Sequence, residues 1–445
     1  MVVNLQYIPL EHLRVLEQCR FIGVIKIKTT RVEQHRIKKN NKFFSIIDEL
    51  CWKSKNMYNY GNYIIRQEFI QTSKEKEEGL RENANWIKYN ELFNLCKDSD
   101  PYRELGSNVG QATLRKLDKA WNGFFKSIKD YGKNPSKYCG RPKIPKYIDK
   151  DKGRYECGLD NHKFKIKNRY IFFCWKPLKV MNDTFMTKIA EDKKLIQLRF
   201  VPKNGEYIME VVYEIDVPDI EDNSDRIASI DLGIDNLMTI TTNCGIKPFI
   251  INGKPLKSVN QYYNKMIADK QSELKKRYNR DYSNEMRRFT IKRNHKIDDY
   301  IQKSTKIVVD FCKENNIDTL VCGYNSGWKQ ESDMSKKVNQ KFIGIPYLSI
   351  VQRLAYKCET EGIIFKTTDE SYTSGTSFLD GEQPVKENYD KSRRVHRGLF
   401  VTREGEKINA DVNGSYQIMK KVFPNVFDNG IVGAGSHPLV VNIPL

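Results

Sequence analysis

The sequence predicts an α+β, multidomain protein in which a β unit is interrupted by a helical insertion and followed by an α/β domain. Three observations carry this reading. The hydrophobic period changes from strict alternation to three- and four-residue steps near Phe44, and returns to alternation near Phe164. The dipeptide Asn204-Gly205 sits between two β-branched, alternating runs, a strong hairpin signal. From Ile227 onward, three short apolar runs precede a helix, strand, helix, strand series.

Residues 1–20 have no clear pattern. Phe21 to Thr30 alternates at Val24-Ile25-Lys26-Ile27-Lys28 and reads as a strand. Ile47, Leu50, Cys51, Ser54, Tyr58, Asn62 and Ile65 then mark one helix face, and Leu114, Leu117, Trp121, Phe124, Phe125 and Ile128 mark another, so 46–130 is a helical unit. The stretch 131–154, rich in Gly, Pro and Lys, reads as a linker or clamp loop. Strands follow at Phe164, at Tyr170, and in the hairpin Leu195 to Tyr213. Beyond Arg226 come strands at Ile227, Asn236 and Lys247, two polar helices at about 258–277 and 287–316, a strand after Asp318, a helix at about 346–361 and a strand after Gly362. A three-stranded meander followed by helix, strand, helix and strand is the order of an RNase H-like fold. The last fifteen residues read as irregular.

Charge narrows the function. Lys and Arg number 76 against 56 Asp and Glu, a formal net charge of +20 in 445 residues. The direct physical use of such a surplus is neutralising a polyanion with release of counterions. Lys133, Lys137, Arg141, Lys143 and Lys146 lie in the Gly/Pro-rich stretch, and a second basic block runs from Lys265 to Lys306 on helical sequence. With Lys329, Arg394 and Arg397 these are the candidate nucleic-acid contacts. No apolar run is long enough to span a membrane. The amino terminus lacks the basic-then-apolar order of a secretion signal, and the ten cysteines include no C-x-x-C pair, so a cytoplasmic location with reduced thiols is expected, nucleoid-associated in a prokaryote. No phosphate-binding G-x-x-x-x-G-K-[S/T] loop is present.

Two carboxylates stand where an RNase H-like nuclease needs them. Asp231 ends the apolar strand Ile227-Ala-Ser-Ile-Asp-Leu, followed by Gly233, which leaves room for a phosphate backbone. Asp411 falls on the first turn of a helix that begins near Asn409. Hard divalent cations take oxygen ligands, and a pair of them about 4 Å apart can activate water and steady the leaving oxygen. The plain alternative makes Asp411 a helix cap and Asp231 a turn residue.

The motifs Ser229-Ile-Asp-Leu-Gly-Ile-Asp-Asn-Leu, Tyr372-Thr-Ser and Asn409-Ala-Asp-Val-Asn-Gly resemble the RuvC-type nuclease domain of TnpB proteins, RNA-guided DNA endonucleases of transposable elements and relatives of the type V CRISPR effectors. Leu114-Arg-Lys-Leu-Asp-Lys-Ala-Trp-Asn-Gly-Phe-Phe-Lys and Gly140-Arg-Pro-Lys-Ile-Pro extend the resemblance, which runs from about residue 20 to 423. It implies a split β-barrel, the wedge, at 1–45 and 133–224, with a helical recognition lobe at 46–132. The RuvC-like nuclease would occupy 225–368, an insert 369–407, the last nuclease motif 408–430, and an irregular tail 431–445. It also implies two Mg²⁺ ions, replaceable by Mn²⁺, a guide RNA from the transposon end, a double-stranded DNA target, and a monomer on the RNA.

Two departures bear on activity. Where such proteins place a Glu directly after the fourth strand, this chain has Gly323. Glu370, just past the neighbouring fifth strand, is the best substitute, because adjacent strands lie about 4.8 Å apart. Asp369 should point to the opposite side, and Glu331 lies farther from the strand end. A loop-surface role for Glu370, or an inactive site, are the alternatives. Where such proteins carry four zinc-binding cysteines, the corresponding positions are Ser377, Asp380, Val401 and Glu404, so no zinc is expected. Gly375, Gly381, Gly398 and Gly405 are expected at turns of that insert, and His396 at its surface. The expected function is guide-RNA-directed DNA cleavage by Asp231, Glu370 and Asp411. The competing reading, a nuclease-inactive RNA-guided DNA-binding repressor, is favoured by Gly323 and opposed by the retained Asp231 and Asp411.

Overall fold

A computed structural model describes residues 28–218, 225–325, 340, 343–396, 398–428 and 438–445. The chain divides into two compact units, Lys28–Asp216 and one made from Val217 onward.

In the first unit, β1 (Lys28–Ile37) pairs antiparallel with β7 (Glu206–Asp216). The last residues of the expected strand at Phe21–Thr30, Lys28–Thr30, lie in β1, residues 21–27 are outside the described residues, and the paired run continues through the polar alternation Arg31–Ile37. Helix α1 (Phe44–Glu77) follows, then α2 (Tyr89–Cys96), α3 (Asp100–Leu105) and α4 (Ser107–Lys133). Trp121 on α4 is fully buried and donates its indole N–H to Asn62 Oδ1 on α1 at 3.0 Å.

After α4 the basic stretch runs along α1, tied down by its carbonyls. Asn59 binds the Ile148 carbonyl at 2.8 Å, Asn62 that of Pro145 at 3.1 Å, and Arg66 also that of Pro145 at 3.2 Å. The peptide groups of an irregular segment need such partners once water is excluded. Asn62→Ala would strand the Trp121 N–H and free one hold on Pro145, at a cost of about 1–3 kcal/mol. The expected result is a lower melting temperature together with faster proteolysis within 134–156.

The remaining strands of this unit are β2 (Cys157–Asp160), β3 (Phe164–Lys167), β4 (Tyr170–Phe173), β5 (Phe185–Met186) and β6 (Leu195–Lys203). Asn204 and Gly205 take φ of 52° and 79° between β6 and β7, the two left-handed residues that a tight hairpin with matching twist requires. Among the described residues the strands form two sheets, ordered β1-β7-β6-β2 and β3-β4-β5. The ladder breaks because β2 is only four residues long and the 3₁₀ turn Asn161–Lys163 redirects the chain before β3.

In the second unit, β8 (Ile227–Leu232), β9 (Asn236–Thr242) and β10 (Phe249–Asn252) form an antiparallel meander. Helices α5 (Lys254–Tyr278) and α6 (Asn284–Glu314) lead to β11 (Thr319–Gly323), and α7 (Tyr347–Thr360) leads to β12 (Ile364–Thr368). An insert with the hairpin β13 (Leu399–Val401) and β14 (Lys407–Asn409) precedes α8 (Ala410–Val422). The sheet order is β12-β11-β8-β9-β10-β15, with β11 parallel to both β8 and β12. The outermost strand, β15 (Leu439–Val441), corrects the expectation of an irregular tail. Three residues are too few to show a period, and the strand is specified by parallel pairing with Phe249–Ile251, far away in sequence.

Helix α8 lies against β8 through a buried hydroxyl cluster. Ser229 Oγ donates to the Ser415 carbonyl at 2.7 Å, and Ser415 Oγ donates to the Ser229 carbonyl at 3.0 Å, with Thr241 Oγ1 2.9 Å from Ser415 Oγ. No helix among the described residues is long and apolar enough to cross a membrane.

Candidate active site

The site lies at the carboxyl ends of the parallel strands. Asp231 is the fifth residue of β8. In register, Cys322 of β11 pairs with Ile230, so Gly323 stands beside Asp231, and Thr368 of β12 stands beside Gly323. Glu370 follows two residues after Thr368. Its side chain turns back across β11 into the space that a side chain at Gly323 would fill: a Cβ there would fall 2.5 Å from Glu370 Oε1 and 2.7 Å from its Cγ. The Asn325 side chain fixes this turn by accepting the Glu370 backbone N–H at 2.8 Å.

Asp369 points away, as strand-end alternation requires. It pairs with Lys421 at 2.7 Å, and that hydrogen bond holds its carboxyl down at about 2. Glu370 shows the opposite behaviour. Burial first, and then the negative charge of Asp231, push it up to about 9. Asp231 is also raised, by burial and then by Asp411, with Arg394 pulling the other way.

Asp411 is on the first turn of α8, but it is not the cap. Asn409 accepts the N–H groups of Asp411 and Val412 and performs that role, which removes the plain alternative for Asp411. The Asp411 carboxylate instead takes Asn236 Nδ2 at 2.6 Å and Arg394 at 3.0 Å. Gly414, one turn on, lets α8 approach Asp231, because a Cβ there would lie 2.9 Å from Asp231 Oδ2. Gly414→Ala would push that carboxylate aside. Since a displacement of about 1 Å at a reacting centre can cost about 100-fold, cleavage should fall by about that factor while thermal stability changes little.

Among the described residues no three His, Cys, Asp or Glu side chains stand together at metal-holding spacing, Asp411 being engaged by Arg394. The donor chemistry nevertheless fits a hard divalent cation. Glu370 Oε1 is buried without a hydrogen-bond partner, and burial and then the charge of Asp231 raise its carboxyl. Asp231 and Glu370 would supply oxygens, with Asp411 as the third once Arg394 departs.

Other sequence candidates fall in different places. Lys133, the last residue of α4, and Lys137, Arg141, Lys143 and Lys146 in the stretch after it are all exposed. Lys329, Arg397 and the weaker acid Glu331 lie outside the described residues. The second basic block is partly neutralised, with Lys303 and Lys306 each pairing with an Asp one turn away. Gly233 is required by its own turn, since a Cβ would strike the Asn236 carbonyl at 2.4 Å. Gly381, Gly398 and Gly405 have positive φ, whereas Gly375 is needed because a Cβ would meet the Tyr389 ring at 2.5 Å. Asn236 and the pairing of Arg394 with Asp411 were missed; nothing local to either sequence segment signals them.

A six-stranded sheet of this order, with acids at the end of its first strand and the start of its last helix, defines an RNase H-like domain. The family model OrfB_IS605, described as "Probable transposase", matches residues 210–329, and the "Cas12f1-like, TNB domain" model matches 347–418. "TnpB-like protein ORF457" of Acidianus two-tailed virus is 22% identical over 432 residues, covering 90% of this chain and 88% of that protein. Over these stretches the chain is similar to TnpB-like proteins. Among solved structures it is similar to the Cas12f1-sgRNA-target DNA complex, with 15% identity, 88% of this chain and 98% of that chain covered, and a TM-score of 0.35. It is also similar to the AacC2c1-sgRNA-extended non-target DNA ternary complex, with 7% identity, 85% and 69% covered, and a TM-score of 0.40.

Proposed function

We propose that this chain is a guide-RNA-directed DNA endonuclease of a transposable element that hydrolyses phosphodiesters with a relocated third carboxylate. The observation that carries the reading is the Glu370 side chain lying over Gly323, next to Asp231. The acid expected on β11 is supplied from β12, one strand over. Asp231, Glu370 and Asp411 would bind two Mg²⁺ ions, with Mn²⁺ able to substitute. Bound there, divalent cations supply an activated water and neutralise charge at the leaving oxygen. The chain's own residues aim the carboxylates: Asn325 sets Glu370, the Ser229–Ser415 cluster fixes α8, and Asn236 orients Asp411.

The exposed lysines and arginine from Lys133 to Lys146 suit a phosphate backbone, and the split β unit with its helices would hold guide RNA and the heteroduplex by shape, base pairing supplying sequence. A monomer on the RNA, working in the cytoplasm at the nucleoid, completes the proposal. The test is Mg²⁺-dependent cleavage of a matched plasmid by the protein co-purified with its flanking RNA. A second reading, RNA-guided binding without cleavage, is favoured by the Arg394–Asp411 ion pair, which occupies a needed ligand. Matched-target binding with no cleavage in either Mg²⁺ or Mn²⁺ would select it.

A further inference from the structure

The insert between β12 and α8 has no metal-binding cysteines, yet it has a densely connected core. At its centre is Arg393, whose side chain is 9% exposed, beside Glu382 at 8%. The guanidinium meets Glu382 through both oxygens, at 3.0 and 2.8 Å, and reaches Asp380 at 3.5 Å. It also donates to the carbonyls of Gly375 at 3.1 Å and Asn388 at 2.9 Å, and stands 5.4 Å from the Phe400 ring centre. One side chain thus ties together four stretches of the insert that no regular secondary structure joins.

The carboxylates it holds extend the network. Glu382 Oε2 accepts the Ser377 N–H at 2.7 Å and Asp380 Oδ2 accepts the Arg403 N–H at 3.2 Å, while Arg403 also pairs with Glu382 at 3.1 Å. Ser377 and Asp380 are two of the positions where zinc cysteines would stand. The core is joined to α8 in turn: Asn413 accepts the Phe378 N–H at 2.9 Å and Gln417 donates to the Glu382 carbonyl at 3.1 Å. The next residue after Arg393 is Arg394, which the insert presents to Asp411.

We infer that Arg393 does for this insert what a structural metal does elsewhere, cross-linking its loops by charge, and that this cross-link holds Arg394 on Asp411. Arg393 is then a positioning residue acting through Arg394. A planar, permanently charged fork with five donors can serve several carboxylates and carbonyls at once, whereas an ammonium cannot match the bidentate geometry. Removing it leaves Glu382 buried with its charge uncompensated by its main partner.

The test uses the full-length protein in six forms: wild type, Arg393→Gln, Arg393→Lys, Arg394→Ala, the Arg393→Gln/Arg394→Ala double variant and Asp231→Asn. Hydrogen exchange reads the insert, 375–409, against the sheet strands β8 and β9 as an internal control. Wild-type protection of the insert should be unchanged by a zinc chelator. It should fall at least tenfold in Arg393→Gln with β8 and β9 unaffected, and Arg393→Lys should not restore it. The second readout rests on the proposed carboxylate site: Mn²⁺ binding by calorimetry without nucleic acid. Affinity should rise about tenfold in Arg394→Ala, because a competing cation leaves Asp411, and by the same factor in Arg393→Gln, with no further rise in the double variant.

Insert protection lost on chelation, or kept in Arg393→Gln, overturns the proposal, as does a Mn²⁺ affinity that changes in Arg394→Ala but not in Arg393→Gln. If no form binds Mn²⁺, and Asp231→Asn behaves as wild type, the nuclease reading fails instead, and the exchange result alone decides for or against the cross-link.

Discussion

Glu370→Gln should abolish cleavage of a matched plasmid, by at least about 1,000-fold, while leaving binding of the same target within about twofold. The amide keeps the size and the Asn325-fixed backbone of the original but cannot carry the negative charge that a hard cation requires. Loss of a buried ligand of this kind acts on the reacting centre, so on the proposed reading RNA retention and target binding should not follow it. Gly323→Ala should fail in a different way: its Cβ occupies the place of Glu370 Oε1 and also meets Ile418 Cδ1 at 2.6 Å, so the acid is displaced and α8 is crowded.

The decisive comparison is a swap. With Glu370 replaced by Gly, the space over β11 opens, and Gly323→Glu in that background restores an acid from the neighbouring strand. Partial recovery of cleavage in the double variant, where each single change is inactive, would show that the site needs a carboxylate at that point in space and not at a given position in sequence. An inactive double variant that binds metal normally would sink the relocation. Cleavage by Glu370→Gln at the wild-type rate would sink it sooner.

How much of this was legible beforehand depends on the range of the interaction that specifies each part. Asp231 could be read because an acid at the end of an apolar strand is a local contradiction of pattern, and Asp411 because it falls on the first turn of a helix start. Glu370 needed one long-range step, that the strands after Asp318 and after Gly362 lie side by side, and the helix–strand–helix–strand order supplied it. The β6–β7 hairpin was fixed by two adjacent residues able to take positive φ.

The parts that were missed depend on several distant contacts at once. β15 has three residues and a partner far away in sequence. Arg394 meets Asp411 only because the insert folds around Arg393, and that fold comes from scattered carboxylates and carbonyls that carry no period.

The paired acids also fix a pH signature in the metal-free protein. Glu370 is held up at about 9 by burial and by Asp231, against about 4.3 for an exposed Glu in an unfolded chain. Between those values the folded state holds a proton that the unfolded state has released, so stability falls as pH rises, by at most ~1.4 kcal/mol per pH unit. Below about 4 both states are protonated and the slope vanishes; above about 9 the folded carboxyl ionises and the penalty stops growing. Relaxation of the half-buried site will reduce the full amount, and about 2 kcal/mol realised between pH 6 and pH 9 corresponds to about 4–8 °C in melting temperature. The expected result is a metal-free wild type that loses this much relative to Glu370→Gln over that interval, the two proteins converging as pH falls toward 4. Mg²⁺ should flatten the wild-type curve, because a dication held by these carboxylates would displace the proton that Glu370 otherwise keeps, and calorimetry in buffers of different ionisation enthalpy should record a proton released on metal binding. Parallel curves for the two proteins would mean that Glu370 is already ionised when folded, and the orphaned Oε1 would then need another explanation.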